Sequence, residues 1–451
     1  MRVAVVAPAL LWLLLTACES NPTQPTPPVR PSLTGPAFAT APTQSEADAI
    51  STNIQSLHLV AEFPNATIVD PRYASGDPAD PGYTTIVGYA HAGDAAIWTG
   101  HYLAAEAKRF EVTQSRAARA NLQRVLDGIQ GLVDVTADAM PGNPGLLARF
   151  LWPDSWWYGD QMAIDEASHG VYRGTAGGVS QRWLGNTSRD QYAGVFFGLA
   201  IAYDALGAGG GRKAREGQRQ IRRLVTRMLD FLIRNGWNVP MPDGSFSTTF
   251  LQRPDQRLAL LQIGRHVNPE RFEVVYQAER AAHAATVSLP IAAECQDTHV
   301  SYFKFNLNHI TLYNLIRLEP TGPTRLPYVA AFDILRDCTG THQNAHFNAI
   351  ERSIRGPDRS RDVHTQNYLA LWLTRPRRDY YVDHGTTYGV CGSDRSCEII
   401  PIDKRVNTDF LWQRSPFLIR PTRRGDGTIE TPAIDYLLPY WMSRYDGVIA
   451  Q

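Results

Sequence analysis

Apolar residues recur with a period near 3.6 along most of the chain after residue 92, which predicts a series of amphipathic α-helices. The stretch 213–235 is the clearest, because Ile221, Leu224 and Leu232 share one face and arginines occupy the other. Segments rich in Gly, Pro and Asp separate these stretches, as expected of turns. Strand-like alternation is short and scarce, as around 245–251. The pattern predicts helices over 93–110, 116–136, 188–206, 213–235, 255–266, 269–287, 301–318, 325–338, 342–354, 362–373 and 433–444.

The helix predicted from Ser188 to Leu206 is apolar on nearly all its faces, which is typical of a buried inner helix. Ser188 followed by Gln191 predicts a capping box at its start. Arg189 and Asp190 also lie at this start, and isolated buried charges are too costly to keep. These two side chains therefore either form a structural ion pair or project into a wet cavity.

Consecutive helical hairpins predict an all-α fold for residues 46–451, as a single domain. No strict repeat of 34 or 40 residues is visible, which disfavours a solenoid. The long irregular connections over about 138–187 and 375–430 favour an α/α toroid, because loops of that kind build a cleft at one face. We therefore expect an incomplete or six-hairpin α/α barrel with its long loops on one side.

Two short segments carry a resemblance to a known group of proteins. Residues 93–103 (GDAAIWTGHYL) and 188–194 (SRDQYAG) resemble the six-hairpin (α/α)-toroid carbohydrate-active superfamily. The resemblance implies that inner helices open with acidic and aromatic residues that face a central cavity. It also implies that the protein binds, and as an enzyme cleaves, an oligo- or polysaccharide.

A glycoside hydrolase needs two carboxyl groups across the scissile bond, and Asp94 and Asp190 are the predicted pair. Flat aromatic rings suit stacking against sugar faces. The alternatives are that Asp94 only caps its helix or complements the helix dipole, and that the aromatic loop 150–158 is a hydrophobic plug. The predicted substrate-binding side chains are Trp98, His101, Tyr192, Trp156 and Trp157.

A lyase is the alternative enzyme. Asn308 and His309 followed by Tyr313 are similar to the arrangement of toroidal uronate lyases, in which an amide and an arginine, here Arg189, neutralise the uronate carboxylate. His309 or Tyr313 would then remove the C5 proton. The structural alternative is that these side chains hydrogen-bond within the core. A non-catalytic scaffold or binding lipoprotein of the cell envelope is the rival from another class.

The N-terminus predicts export. Residues 1–17 combine Arg2 with an apolar run that is too short to span a bilayer comfortably but suits a signal peptide. The run ends in Leu-Thr-Ala before Cys18, which resembles the bacterial lipobox and implies lipidation of Cys18. The Pro- and Thr-rich residues 18–45 predict an extended tether. Glu19 follows the cysteine in place of aspartate, which favours the outer membrane or cell surface; a plain secretory peptide is the alternative.

The other four cysteines predict two disulfides in an oxidising compartment, Cys295–Cys338 and Cys391–Cys397. A metal site competes with this interpretation, but the cysteines lack zinc-finger spacing. His342 and His346 stand four residues apart without an identifiable third ligand, so no metal is predicted.

Charge and motifs exclude several function classes. The chain has 44 Lys and Arg against 44 Asp and Glu, without a basic stripe, so we expect no nucleic-acid partner. No Walker-type loop or dinucleotide fingerprint is present, so no cofactor is predicted.

Overall fold

The structure is a computed structural model, and it describes residues 42–388, 398–405, 410–420 and 425–450. Its helices, in chain order, are α1 (Gln44–Asn53), α2 (Ala95–Thr113), α3 (Arg116–Asp134), α4 (Gly159–Asp165), α5 (Arg189–Gly209), α6 (Gly211–Arg234), α7 (Pro254–Val267), α8 (Pro269–His283), α9 (Ser288–Glu294), α10 (Phe303–Leu318), α11 (Leu326–Thr339), α12 (Ala345–Arg355), α13 (Arg359–Leu373) and α14 (Ile434–Tyr445). Its strands are β1 (Asp70–Tyr73), β2 (Ile86–Ala90), β3 (Leu151–Pro153), β4 (Val171–Ala176), β5 (Val179–Leu184), β6 (Asn238–Pro240), β7 (Phe246–Thr249), β8 (Arg378–Tyr380) and β9 (Asp426–Glu430).

The prediction of an all-α toroid is wrong, because three antiparallel sheets accompany the helices. Helical residues make up 58% of the structure and strand residues 10%, so the content is mixed. The sheets have the strand orders β2-β1-β9-β8, β3-β5-β4 and β6-β7. Most of these strands lie in connections that the sequence marks as irregular. Strands of three to six residues are too short for a two-residue periodicity to stand out.

The periodic stretches themselves are helices, since each of the eleven predicted ranges coincides with one of the helices within a few residues at its ends. The pattern missed α1, α4 and α9. Helix α1 begins inside the segment predicted as tether, with Thr43 and Glu46 forming a capping box. The predicted tether therefore ends at least two residues earlier than expected.

Helices α2 and α5 form the centre of the helical body and run parallel, because successive positions of one contact successive positions of the other. A Cβ added at Gly100 would lie 2.1 Å from the carbonyl oxygen of Gly194, and one at Gly209 would meet the ring of Phe110. Glycine at these positions lets the two backbones approach closely. Both helices consequently begin at the same end of the fold.

Helix α5 is largely buried, as its apolar pattern predicts. Among the described residues it is the one helix long and apolar enough to cross a membrane, and 72% of its most apolar window is buried inside the fold. The predicted capping box is wrong, because Ser188 makes no side-chain cap. The side chain of Gln191 instead forms hydrogen bonds with Asp94 and with the backbone N–H of Ile97.

The predicted disulfide Cys295–Cys338 is confirmed. The two Cα atoms lie 5.8 Å apart, and the bridge connects the end of α9 to α11. Cys18, Cys391 and Cys397 lie outside the described residues, as do the predicted signal peptide and most of the predicted tether.

Candidate active site

An open cleft of about 770 Å³ lies where α2, α5 and α10 begin. Asp94 and Trp98 of the α2 region and Asp190 of α5 line it together. Acidic residues outnumber the two arginines, Arg72 and Arg414, among the described residues that line the cleft. The described carboxylates that line the cleft are Asp70, Asp94, Asp165, Glu166, Asp190 and Asp379. We name this cavity the acidic cleft.

Asp94 immediately precedes α2, but its side chain makes no capping hydrogen bond, which argues against a simple capping role. The carboxylate instead accepts a hydrogen bond from Gln191 Nε2 at 3.0 Å. Arg149 Nη1 lies 3.6 Å from Asp94 Oδ1 and provides a counter-charge for the ionised form. Half of the Asp94 side chain is exposed (49%), so the oriented carboxylate remains accessible from the cleft.

Asp190 differs from Asp94 in its surroundings. It is half-buried and forms no hydrogen bond or ion pair with any other described side chain. Burial raises the pKa of Asp190, and the negative charge of Asp94 raises it further, against the smaller opposing effects of Arg149 and Arg189. The site therefore pairs one carboxyl group that has a counter-charge with one that favours its protonated form.

Glu166 is a third acid at this end of the cleft. Its Oε1 accepts a hydrogen bond from the backbone N–H of Gly93 at 3.2 Å, and its Oε2 lies 3.4 Å from His169 Nε2. Burial raises the pKa of Glu166, and the charge of Asp94 acts in the same direction. Burial lowers the pKa of His169 to about 4, so this imidazole is neutral near pH 7.

His91 and Asp70 form a second polar group in the cleft. His91 Nδ1 and Asp70 Oδ2 are 2.8 Å apart, and His58 lies 3.6 Å behind Asp70. Burial alone would raise the pKa of Asp70, but hydrogen bonds with His58 and His91 outweigh it and lower the pKa. His91 adopts a left-handed backbone conformation with φ of 61°, which is strained for a residue other than glycine. Such strain concentrates at functional sites.

Aromatic rings form part of the wall. Trp98 lines the cleft and meets Phe410, whose ring centroid lies 4.7 Å away in an edge-to-face arrangement. Tyr89 lines the cleft from β2, and its ring lies 6.5 Å from that of Trp157. Trp157 is 60% exposed, so it is accessible at the surface beside Tyr89. Trp98, which is 7% exposed, therefore lines the cleft, whereas Trp157 lies at the surface outside its lining.

Three predicted binding side chains do not reach the cleft. His101 is buried, and its Nε2 accepts a hydrogen bond from Asn306, which itself lines the cleft. Tyr192 is buried with its hydroxyl accepting from the backbone N–H of Leu147. Trp156 is 6% exposed and packs edge-on against Phe63, as expected of the hydrophobic plug.

The polar residues of the predicted lyase site belong to the core. Asn308 accepts a hydrogen bond from Arg253 and donates one to Glu294. His309 is fully buried with Nδ1 2.7 Å from the carbonyl oxygen of Phe305, and burial lowers its pKa. An imidazole held in this way is a poor candidate for proton removal from a substrate.

The two remaining lyase candidates are also apart from the cleft. Tyr313 is 5% exposed, and its ring packs edge-on against Phe197. Arg189 donates a hydrogen bond to the carbonyl oxygen of Thr249, at 2.9 Å, and so has a structural partner. Of the predicted catalytic residues, Asp94 and Asp190 therefore meet in the cleft, whereas Arg189 and His309 do not line it.

Sequence reasoning missed Asp70, Glu166, His169 and Asp379, which come to the cleft from connections and short strands. No local pattern identifies them, since all four lie outside the periodic helical stretches. Within the described ranges, no group of three or more His, Cys, Asp or Glu side chains is arranged to hold a metal ion.

Searches against protein-family models, curated proteins and solved structures found no match to this chain.

Proposed function

We propose that the protein is a glycoside hydrolase that acts on glycans in the acidic cleft. The observation that carries the proposal is that Asp94 and Asp190 line one open cavity in unlike electrostatic environments. Glycosidases require one carboxyl group that keeps its proton and one that is ionised. Asp190, whose pKa is raised, suits the first role, and Asp94, which lies near the Arg149 guanidinium, suits the second.

Asp190 is the proposed general acid, because its raised pKa favours the proton that the leaving oxygen must receive. Asp94 is the proposed base or nucleophile, because Gln191 orients it and Arg149 lies 3.6 Å away as its counter-charge. The mostly buried ring of Trp98 lines the same cleft.

The charge of the cleft argues for a neutral or cationic sugar. Apart from the protonated Asp190, five carboxyl groups and two arginines, Arg72 and Arg414, are among the described lining residues. A uronate would bring a further negative charge into this environment, and like charges in proximity are unfavourable. The lyase alternative is thus disfavoured by charge as well as by the burial of His309.

A glycan panel tests the proposal. The purified protein and its Asp190→Asn and Asp94→Asn variants are incubated with neutral, amino-sugar and uronate polysaccharides, and reducing ends and ultraviolet absorbance are both recorded. We expect new reducing ends from a neutral or amino-sugar polymer, at least about 100-fold slower in either variant. Absorbance from an unsaturated uronate would indicate a lyase. Binding without turnover across the panel would indicate a carbohydrate-binding protein.

We further propose that the protein is exported and anchored by lipid on Cys18, at the outer membrane or cell surface. The Leu-Thr-Ala-Cys segment supports this address, and the Cys295–Cys338 bridge suits an oxidising compartment. Detergent phase partitioning of cells that express the wild type or Cys18→Ala tests it. The wild type should enter the detergent phase and the variant should not; equal partitioning would contradict the anchor.

A further inference from the structure

A second cavity, separate from the acidic cleft, lies on the surface between α3 and α6. We name it the basic groove; its volume is about 880 Å³. The two helices run side by side in the same direction, because Gln123 contacts Gln220 and Asp134 contacts Arg227 further along both. The residues that line the groove are Phe63, Pro64, Ala66, Arg116, Arg119, Ala120, Gln123, Arg124, Asp127, Lys213, Glu216, Gly217, Gln220 and Arg223.

The cations of the basic groove have few partners. Among the described residues, the side chains of Arg116, Lys213 and Arg223 are exposed and make no hydrogen bond or ion pair. Arg119 is half-buried, and its Nη2 is buried without a hydrogen-bond partner. Arg124 is held in place by two backbone oxygens and Gln55.

The acids of the groove are already engaged. Glu216 is paired with Arg212, which lies outside the groove, at 3.0 Å. Asp127 accepts hydrogen bonds from Gln123 and Gln220. Five cationic side chains therefore face two acids that have other partners, and the groove presents an excess of positive charge.

We propose that the basic groove binds an anionic polysaccharide, a linear glycan that carries carboxylate or phosphate groups. Arginine presents a planar fork of donors that matches both groups, and charge-assisted hydrogen bonds of this kind are strong. The α3 residues from Arg116 to Asp127 span about 16 Å at 1.5 Å per residue. A groove of that length can contact several anionic groups of one chain, and the site is independent of hydrolysis in the acidic cleft.

The shape of the groove favours a glycan over other polyanions. It is concave, whereas a membrane surface would need cations and apolar side chains that protrude together. Its ring, Phe63, is 6% exposed and packs against Trp156, so it offers no face for the stacking of nucleic-acid bases. The other apolar residues that line the groove, Pro64, Ala66 and Ala120, carry no aromatic ring.

Fluorescence anisotropy with dextran derivatives tests the proposal, because the derivatives share one polysaccharide backbone and differ only in their anionic groups. Labelled carboxymethyl dextran, dextran phosphate and unmodified dextran are titrated with the full chain, and then with the variant Lys213→Gln/Arg223→Gln. We expect one or both anionic dextrans to bind and plain dextran not to bind. The variant should bind about tenfold more weakly or worse, and added salt should weaken binding by the wild type.

The matched control is Arg215→Gln/Arg219→Gln, which removes two exposed cations from the same helix outside the groove. This variant should keep its affinity within about twofold. Preference for carboxymethyl dextran or for dextran phosphate identifies which anion is recognised.

Several results would overturn the proposal. They are an absence of binding to both anionic dextrans, an equal loss of affinity in the control, or loss of binding on Asp190→Asn, which would place the ligand in the acidic cleft. Equally tight binding of oligothymidylate or of phosphatidylglycerol vesicles would assign the groove to another class of partner. Circular dichroism checks that all variants are folded.

Discussion

The side-chain amide of Gln191 donates a hydrogen bond to Asp94 Oδ1 at 3.0 Å, across the contact between two parallel helices. The carbonyl oxygen of the same amide accepts from the backbone N–H of Ile97, at 2.9 Å. Gln191 is fully buried, so both ends of the amide depend on these partners. The Gln191 amide therefore fixes the position of Asp94 relative to Asp190, the residue that immediately precedes Gln191 in the chain.

Replacing Gln191 with methionine keeps most of the side-chain volume but removes both hydrogen bonds. The N–H of Ile97 then loses its partner in a buried place, and Asp94 loses its orientation. We expect the free energy of unfolding to fall by about 1–3 kcal/mol, measured by urea denaturation. Turnover should fall as well, with a larger effect on kcat than on KM, because Gln191 is a positioning residue.

Gln161 provides the control for this substitution. It is exposed and donates a hydrogen bond to Asp165 four residues later in the chain. Gln161→Met should change the free energy of unfolding by less than about 0.5 kcal/mol. Similar losses in the two variants would show that the buried amide has no special role.

The raised pKa of Asp190 predicts how stability depends on pH. Because burial and the charge of Asp94 disfavour the ionised form in the fold, ionisation destabilises the protein as pH rises from the ordinary value of 3.8 through the raised pKa. Asparagine cannot ionise. Asp190→Asn should therefore have an equal or higher melting temperature than the wild type at neutral pH, and the difference should vanish in acid. A large fall in melting temperature at neutral pH would show that Asp190 is a structural ion-pair partner.

The close approach of α2 and α5 predicts intolerance to a single methyl group. A Cβ at Gly194 would lie 2.7 Å from the carbonyl oxygen of Ile97 and 2.9 Å from its Cα. Backbone atoms cannot move aside as a flexible side chain can, so Gly194→Ala should cost about 1–3 kcal/mol in thermal or urea unfolding. Gly207→Ala in the same helix meets only the amide end of Gln218 and should be nearly neutral. Equal stabilities would refute the glycine contact as the reason for this packing.

The Cys295–Cys338 bridge joins residues 43 positions apart. Chain-entropy arguments give a loop of this length a stabilisation of about 4 kcal/mol. Cys295→Ser/Cys338→Ser should therefore lower the urea midpoint, and reduction of the wild type should have the same effect. Ready labelling of both thiols in the untreated protein would contradict the bridge.

Helix periodicity was sufficient to predict the helical body, because α2, α5 and α6 bury apolar residues over five or more turns. It could not predict the sheets. Strand β1 is four residues long, and one of its two partners, β9, comes from a distant part of the chain. Pairings of this kind depend on tertiary contacts that no local pattern records.

The candidate site was predicted to the same limited extent. Asp94 and Asp190 were identified because each is a charge at the start of an apolar helix. Glu166 and Asp70 lie in or beside short elements of the connections, where an acid is unremarkable in sequence. His101 and Tyr192 are buried and do not line the cleft, because position on a helix does not tell which face meets the cleft and which meets a neighbouring helix.

Leaving-group dependence tests the central claim most directly. In the hydrolysis of a natural glycoside, the leaving oxygen needs a proton from the general acid. In a dinitrophenyl glycoside of the same sugar, the dinitrophenolate leaves without one. Wild type, Asp190→Asn and Asp94→Asn are compared on both substrates. We predict that Asp190→Asn loses activity on the natural glycoside but keeps it on the dinitrophenyl glycoside, and that Asp94→Asn loses both. Equal activity of Asp190→Asn and the wild type on the natural glycoside would contradict the assignment of the acidic cleft as a glycosidase site.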